Sequence, residues 1–192
     1  MFYTSTKRRS SSLATEASLS SSQDTHVPTD LSWNDLDNVK YFTSGGSSAI
    51  YTAFFNGNPV MVKTSRPNVE DSNICSQEIE KEMIILSKLN HPNIVKLYAA
   101  GKLHGRRFLV LERLDGGTMK QMISSRKRGK YQIKNRTIRS KHWMKNALSD
   151  AGSISRAMEY CHSGIHEHVI FHRDLKPDNI GKYFYYYQRK KF

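Results

Sequence analysis

Hydrophobic and polar positions change rhythm near Trp33. Ahead of it, residues 1–31 are rich in Ser and Thr and carry few large apolar side chains. Such a segment cannot bury enough surface to offset the entropy of ordering, so it is expected to be disordered. Beyond it, Val39–Phe42 and Ala49–Phe55 read as strands flanking the small-residue turn Ser44-Gly45-Gly46-Ser47-Ser48. Asn56-Gly57 is a tight-turn signal that feeds a third strand, Pro59–Lys63. The period then lengthens: Ile79, Met83, Leu86 and Leu89 recur at helical spacing behind the polar start Asp71-Ser72-Asn73, and His91-Pro92 closes the helix. Ile94–Tyr98 and Phe108–Leu111 return to strand with a Gly-containing turn between them. Five strands with one helix after the third predict an α+β lobe. Gly116-Gly117 breaks the chain, and a second helix is predicted over about Lys145 to His162, with Leu148, Ala151, Ile154, Met158 and Cys161 along one face.

The 192 residues suffice for one sizeable core, or for one and a half lobes of a larger domain. Cys75 and Cys161 fall in separate helix-like segments without metal-ligand spacing, which fits a reduced, cytoplasmic protein. No apolar run approaches the roughly 18 residues that a membrane span needs, so no membrane partner is expected. Lys7, Arg8 and Arg9 have no apolar stretch behind them, against a secretory signal. The net charge of +13 is uneven. Between Gly116 and Ser149 there is no acid, while ten Lys and Arg residues accumulate. A nucleic-acid surface is one reading of that run; a solvated loop between packed elements is the preferred one. Arg126-Lys127-Arg128 leaves a nuclear address open.

The densest chemistry is the octapeptide His172-Arg173-Asp174-Leu175-Lys176-Pro177-Asp178-Asn179. It places a carboxylate, a cation two residues on and an amide three further on within one tight loop. A proton acceptor, a cation for a moving phosphate and a magnesium ligand are what phosphoryl transfer to a hydroxyl requires. The string resembles the catalytic loop of protein kinases, and the element order from about Leu36 to Ile180 resembles that fold from its start through this loop. The resemblance implies a protein-kinase-like α+β fold: a five-stranded antiparallel sheet plus one helix to about residue 114, then a partial, mainly helical lobe over 115–182. Residues 183–192 form an aromatic and basic tail. Lys at the second position after the Asp is the serine/threonine form, and the general flavour is nearest the tyrosine-kinase-like serine/threonine group.

That resemblance implies ATP and Mg2+ as cofactors and a protein Ser or Thr hydroxyl as acceptor. Asp174 would take the hydroxyl proton, Lys176 would neutralise the transferring phosphoryl group, and Asn179 would hold a magnesium. His172 would brace the loop. Val60-Met61-Val62-Lys63 matches the third-strand motif whose Lys grips the α- and β-phosphates, with Glu82 as its partner and Glu78 as the alternative one turn earlier. The phosphate-covering loop is a weaker match: the three family glycines fall at Thr43, Gly45 and Ser48, and only Gly45 fits. Ile50 would cover the adenine, whose edge would meet the backbone of Glu112 and Leu114. Three departures touch the same slot. Met61 replaces a usual Ala, Gly181 replaces a bulky apolar floor, and Thr118 stands where an acid often meets the ribose.

No Asp-Phe-Gly follows Ile180. The chain is therefore expected to be inactive alone, with the helix face of Leu148, Ile154 and Met158 uncovered and the aromatic tail marking a lost reading frame. A non-catalytic kinase-like binding module and a basic nucleic-acid-associated protein are the competing readings.

Overall fold

A computed structural model of the chain describes residues 2–4, 27–66, 72–127, 136–163 and 169–183. In chain order the elements are β1 (Phe2–Thr4), β2 (Asp37–Ser44), β3 (Ser48–Phe55), β4 (Asn58–Ser65), α1 (Ser72–Ser87), β5 (Leu97–Leu103), β6 (Arg106–Glu112), α2 (Met119–Lys127), α3 (Arg136–His162) and β7 (Ile180–Lys182). Strands β2 to β6 form one antiparallel sheet in the order β2-β3-β4-β6-β5. The α+β arrangement expected from the pattern is thus the one observed. Among the described residues no helix is long and apolar enough to cross a membrane.

Strand alternation decides what each face of the sheet meets. On β4, Val60 and Val62 are fully buried and join Phe108, Val110, Ala53, Ala99 and Leu36 in a core beneath Leu31 and Trp33. Met61 and Lys63 alternate with them, so their side chains leave from the opposite face. There Leu97, Leu109 and Leu111 pack with Ile79, Met83 and Leu86 of α1 and with Ala157 and Cys161 of α3. Phe108–Leu111 reads as an unbroken apolar run because β6 is buried on both faces. Helix α1 is also tied to β6 by charge. Arg107 donates from Nε and Nη2 to the two carboxylate oxygens of Glu80 at 2.8 and 2.9 Å, and that fork holds the Glu80 carboxyl below its usual range.

Several expectations are corrected. The unstructured segment over 1–31 gives way at both ends: Phe2–Thr4 pairs in parallel with Ile180–Lys182, and residues from Val27 on are placed against the sheet. Ala100 N–H donates to Pro28 O at 2.8 Å and Leu31 N–H to Ala100 O at 3.0 Å, so this stretch covers β5, the edge strand. The strand expected at Ile94–Tyr98 starts at Leu97, because Ile94 and Val95 fill the core as a loop. The solvated basic loop contains helix α2, and α3 begins before Lys145. The buried face of α3 is Asp150, Ser153, Ala157 and Cys161, whereas Leu148 and Ala151 are exposed. The Ser-rich stretch 5–26 and the tail 184–192 lie outside the described residues.

One polar contact explains the offset of α3. Lys182 Nζ lies 2.6 Å from Asp150 Oδ2 and 2.7 Å from Oδ1, with the two residues 7% and 5% exposed. A charge that deep is tolerated only with its partner, so the helix turns the acid rather than Leu148 inward. Lys182→Met alone should cost about 3–5 kcal/mol in a urea melt by stranding Asp150, while Lys182→Met with Asp150→Leu should recover most of the loss. Equal destabilisation of both variants would show that the pair is not what seats α3.

Candidate active site

The sheet supplies one half of the site. Ile50 on β3 is opposite Lys63 on β4, and Lys63 is opposite Leu109 on β6. Directly opposed residues of antiparallel strands share a face, so Ile50 and Lys63 stand together on the side occupied by α1. Lys63 Nζ lies 2.5 Å from Glu82 Oε2, both half-buried. Glu82 is therefore the residue that meets the lysine; Glu78, a turn earlier, is exposed. At the sheet's end the turn 44–48 closes with Gly45 N–H donating to Ser48 O at 2.8 Å. Arg66 ties the same turn down, donating from Nη1 to Gly45 O at 3.2 Å and from its backbone N–H to Ser47 O at 3.1 Å.

The loop 172–179 supplies the other half. Asn179 Nδ2 donates to both the main-chain O and the Oδ2 of Asp174, each at 2.9 Å. Lys176 Nζ lies 2.7 Å from that same Oδ2. These contacts, that of Lys176 first, hold the exposed Asp174 carboxyl below its usual range, and Asp174 raises the Lys176 ammonium in turn. Asp174 N–H donates to His172 O at 2.8 Å and to His172 Nδ1 at 3.3 Å. The first of these closes a three-residue γ-turn around Arg173, whose φ of +59° is the left-handed region that a bulky side chain rarely adopts. An Nδ1 that accepts must carry its proton on Nε2. Burial, foremost, keeps His172 below the ordinary 6.5.

A connector, residues 112–118, joins the two halves and is gripped by the strand that follows the loop. Glu112 N–H donates to Lys96 O at 2.9 Å, and its carboxylate accepts from Lys96 N–H at 3.2 Å and from the Tyr183 hydroxyl at 3.0 Å. Gly116 N–H donates to Lys182 O at 2.8 Å and Lys182 N–H to Gly117 O at 2.9 Å. A Cβ on Gly116 would lie 2.5 Å from Lys182 O, so this approach requires glycine. Leu114 packs over Gly181: a Cβ there would lie 2.1 Å from the Leu114 δ-methyl. Thr118 begins α2 as a reciprocal cap, its Oγ1 accepting from Gln121 N–H and its N–H donating to Gln121 Oε1. Lys120 on α2 pairs with Asp178 at 2.9 Å, bracing the loop.

Sequence reasoning missed Arg66, Asp150, Lys182, Tyr183 and the Lys120–Asp178 pair. Of the local features, only the Thr118-x-x-Gln121 cap carried a recognisable signal. The others meet partners remote in sequence and of no special type.

Comparison with known proteins agrees with this geometry. The sequence matches the protein kinase domain family over residues 37–181. It is 32% identical to serine/threonine-protein kinase VIK of Arabidopsis thaliana over 146 residues, which is 76% of this chain and 30% of that protein. It is 32% identical to serine/threonine/tyrosine-protein kinase HT1 of Arabidopsis thaliana over 142 residues, 72% of this chain and 33% of that one. It is 27% identical to mitogen-activated protein kinase kinase kinase 10 of Mus musculus over 157 residues, 82% of this chain and 8% of that one. The matched part is thus a third or less of the length of these relatives.

The His172 geometry has a titration consequence. A histidine lowered by folding contributes stability that is present above its ordinary 6.5 and is lost as the pH falls through its folded value. Nitrogen-detected NMR should find a neutral Nε2–H ring still present below pH 6.5, with loop signals broadening only once it protonates. A ring that is protonated at neutral pH, or neutral with its proton on Nδ1, would contradict this arrangement.

Proposed function

The chain belongs to the protein kinase family, and from that premise we propose that it carries the machinery for phosphoryl transfer from Mg-ATP to Ser or Thr hydroxyls of a protein substrate. The observation that carries the reading is the clasp of Asp174 by Asn179 and Lys176 on one loop. The clasp aims a carboxylate before any substrate arrives, and positioning dominates this chemistry because its transition state is loose. A carboxyl held low is a weak base. That suffices when the hydroxyl proton moves late, and it keeps Asp174 ionised to accept the hydrogen bond that orients the nucleophile. Lys176, already beside Asp174, would offset the negative charge that gathers on the transferring group. Lys63, paired with Glu82, would meet the α- and β-phosphates, with Gly45 above them. Ile50 and the backbone of Glu112 and Leu114 would meet the base.

The residues fit magnesium as one ligand of a shared shell. Asn179 spends Nδ2 on two bonds to Asp174, and neither of them uses Oδ1, a hard oxygen donor. Among the described residues no cluster of three or more His, Cys, Asp or Glu could hold a metal, so an ion here would depend largely on phosphate and water oxygens, as Mg2+ commonly does. When bound it would supply charge neutralisation on the phosphates. The free thiols of Cys75 and Cys161 support a cytoplasmic setting in the same reading.

Mg-ATP titrated against the chain should bind at least about tenfold more weakly to Lys63→Ala, the equivalent of about 1.4 kcal/mol, and Glu82→Gln should weaken it in the same direction but less. Asp174→Asn should lower transfer to a Ser/Thr peptide mixture by the roughly 10²–10⁴-fold typical of a lost general base. Undiminished transfer by Asp174→Asn would overturn the assignment.

A further inference from the structure

A flat heteroaromatic base needs an apolar surface on each side, and the resemblance stated above implies Met61 on one side of its slot and Gly181 on the other. The sheet side is heavy. Met61, opposite Leu111 across β4 and β6, stands on the same face as Ile50 and Lys63. Gly181 in β7, by contrast, has no side chain at all. Yet that space is filled. The δ-methyl of Leu114 sits where a Cβ of Gly181 would be, 2.1 Å from the ideal position, with Leu114 Cγ and Cβ at 3.3 and 3.4 Å. Three side-chain carbons of the connector therefore lie along the bare backbone of β7. The connector is held there at both ends, by the Tyr183 hydroxyl on the Glu112 carboxylate and by the backbone bonds of Gly116 and Gly117 to Lys182.

From this we infer that Leu114, seated on Gly181, is the apolar platform beneath the purine base, a specificity-determining side chain supplied by the connector in place of the one that β7 lacks. The inference rests on the nucleotide reading above. It adds that residues 114 and 181 share one volume: either can fill it, and both together cannot. A side chain at 181 is therefore harmful while Leu114 is present and beneficial once Leu114 has been cut back.

The test is a four-protein cycle of the chain, Leu114→Ala, Gly181→Leu and the double variant, titrated with Mg-ADP and, separately, with Mg-tripolyphosphate, which has no base. Each single variant should bind ADP about tenfold more weakly, the scale of a lost apolar contact in a binding pocket. Gly181→Leu should reverse sign and strengthen binding in the Leu114→Ala background, while tripolyphosphate affinity stays level throughout. If Gly181→Leu does not fold, Gly181→Ala serves, since its Cβ alone reaches the methyl, and the same reversal is expected at smaller size. Losses that simply add in both backgrounds, or that are as large for tripolyphosphate, overturn the shared platform. A chain that binds tripolyphosphate normally but ADP no more tightly removes the platform alone. A chain that binds neither removes the nucleotide reading with it.

Discussion

The apolar core that spans both layers sets the position of everything with chemistry in it. Leu97, Leu109 and Leu111 from the sheet, Ile79, Met83 and Leu86 from α1, and Ala157 and Cys161 from α3 form one contiguous cluster. Fully burying a large aliphatic side chain is worth about 1.5–3 kcal/mol, whereas a half-exposed ion pair contributes about 1 kcal/mol or less. The Lys63–Glu82 contact therefore reports where α1 sits and does not decide it. The same cluster reaches the loop chemistry through α3, because Ile170 packs against it and its N–H donates to Cys161 O at 2.9 Å just ahead of His172. Two groups of site residues far apart in sequence are thereby fixed to one solid body.

Charge is used in two distinct ways around that body. Asp150 and Lys182 are buried, so each is obligatory for the other, and together they decide which face of α3 turns inward. Asp174 and Lys176 are exposed, so solvent stands in for much of what either loses when the pair opens. That difference suits their proposed work. A pair that must part to meet a hydroxyl and a phosphate has to be cheap to open, and a pair that seats a helix has to be expensive to open.

Strands were legible in the sequence where burial alternates or is continuous. Val60 to Lys63 and Phe108 to Leu111 show both cases, and the register follows from them. The reading failed where apolar residues do not serve a regular element. Ile94 and Val95 are buried in a loop, which drew the expected β5 forward by three residues. It failed again where a polar residue occupies a core position, as Asp150 and Ser153 do on α3. Helix α2 has too few apolar residues for periodicity, leaving its Thr118–Gln121 cap as the one trace. The motif residues of the site, Lys63 and the run from His172 to Asn179, could be read because their spacing is local. Glu112 with Tyr183, 71 residues apart, and Asp150 with Lys182, 32 apart, could not: nothing in either residue's neighbourhood specifies its partner.

Backbone strain falls at the same loop. Asn38, Asn56 and His104 also have positive φ, but they are residue types that tolerate it, and Asn56 and His104 are each followed by a glycine in a hairpin turn. Arg173 at +59° is different in kind, since a long side chain in this region costs about 1–2 kcal/mol. The loop withstands that cost because it is fixed from both sides. His172 takes the Asp174 N–H through its carbonyl and its ring, and Asn179 holds the Asp174 carbonyl and carboxylate from the far end. A relaxed Arg173 would rotate the peptide that carries Asp174 and break those bonds together. The direction of the carboxylate is thus set by covalent geometry and four hydrogen bonds before substrate binds, which is the form that preorganisation takes when little basicity is available.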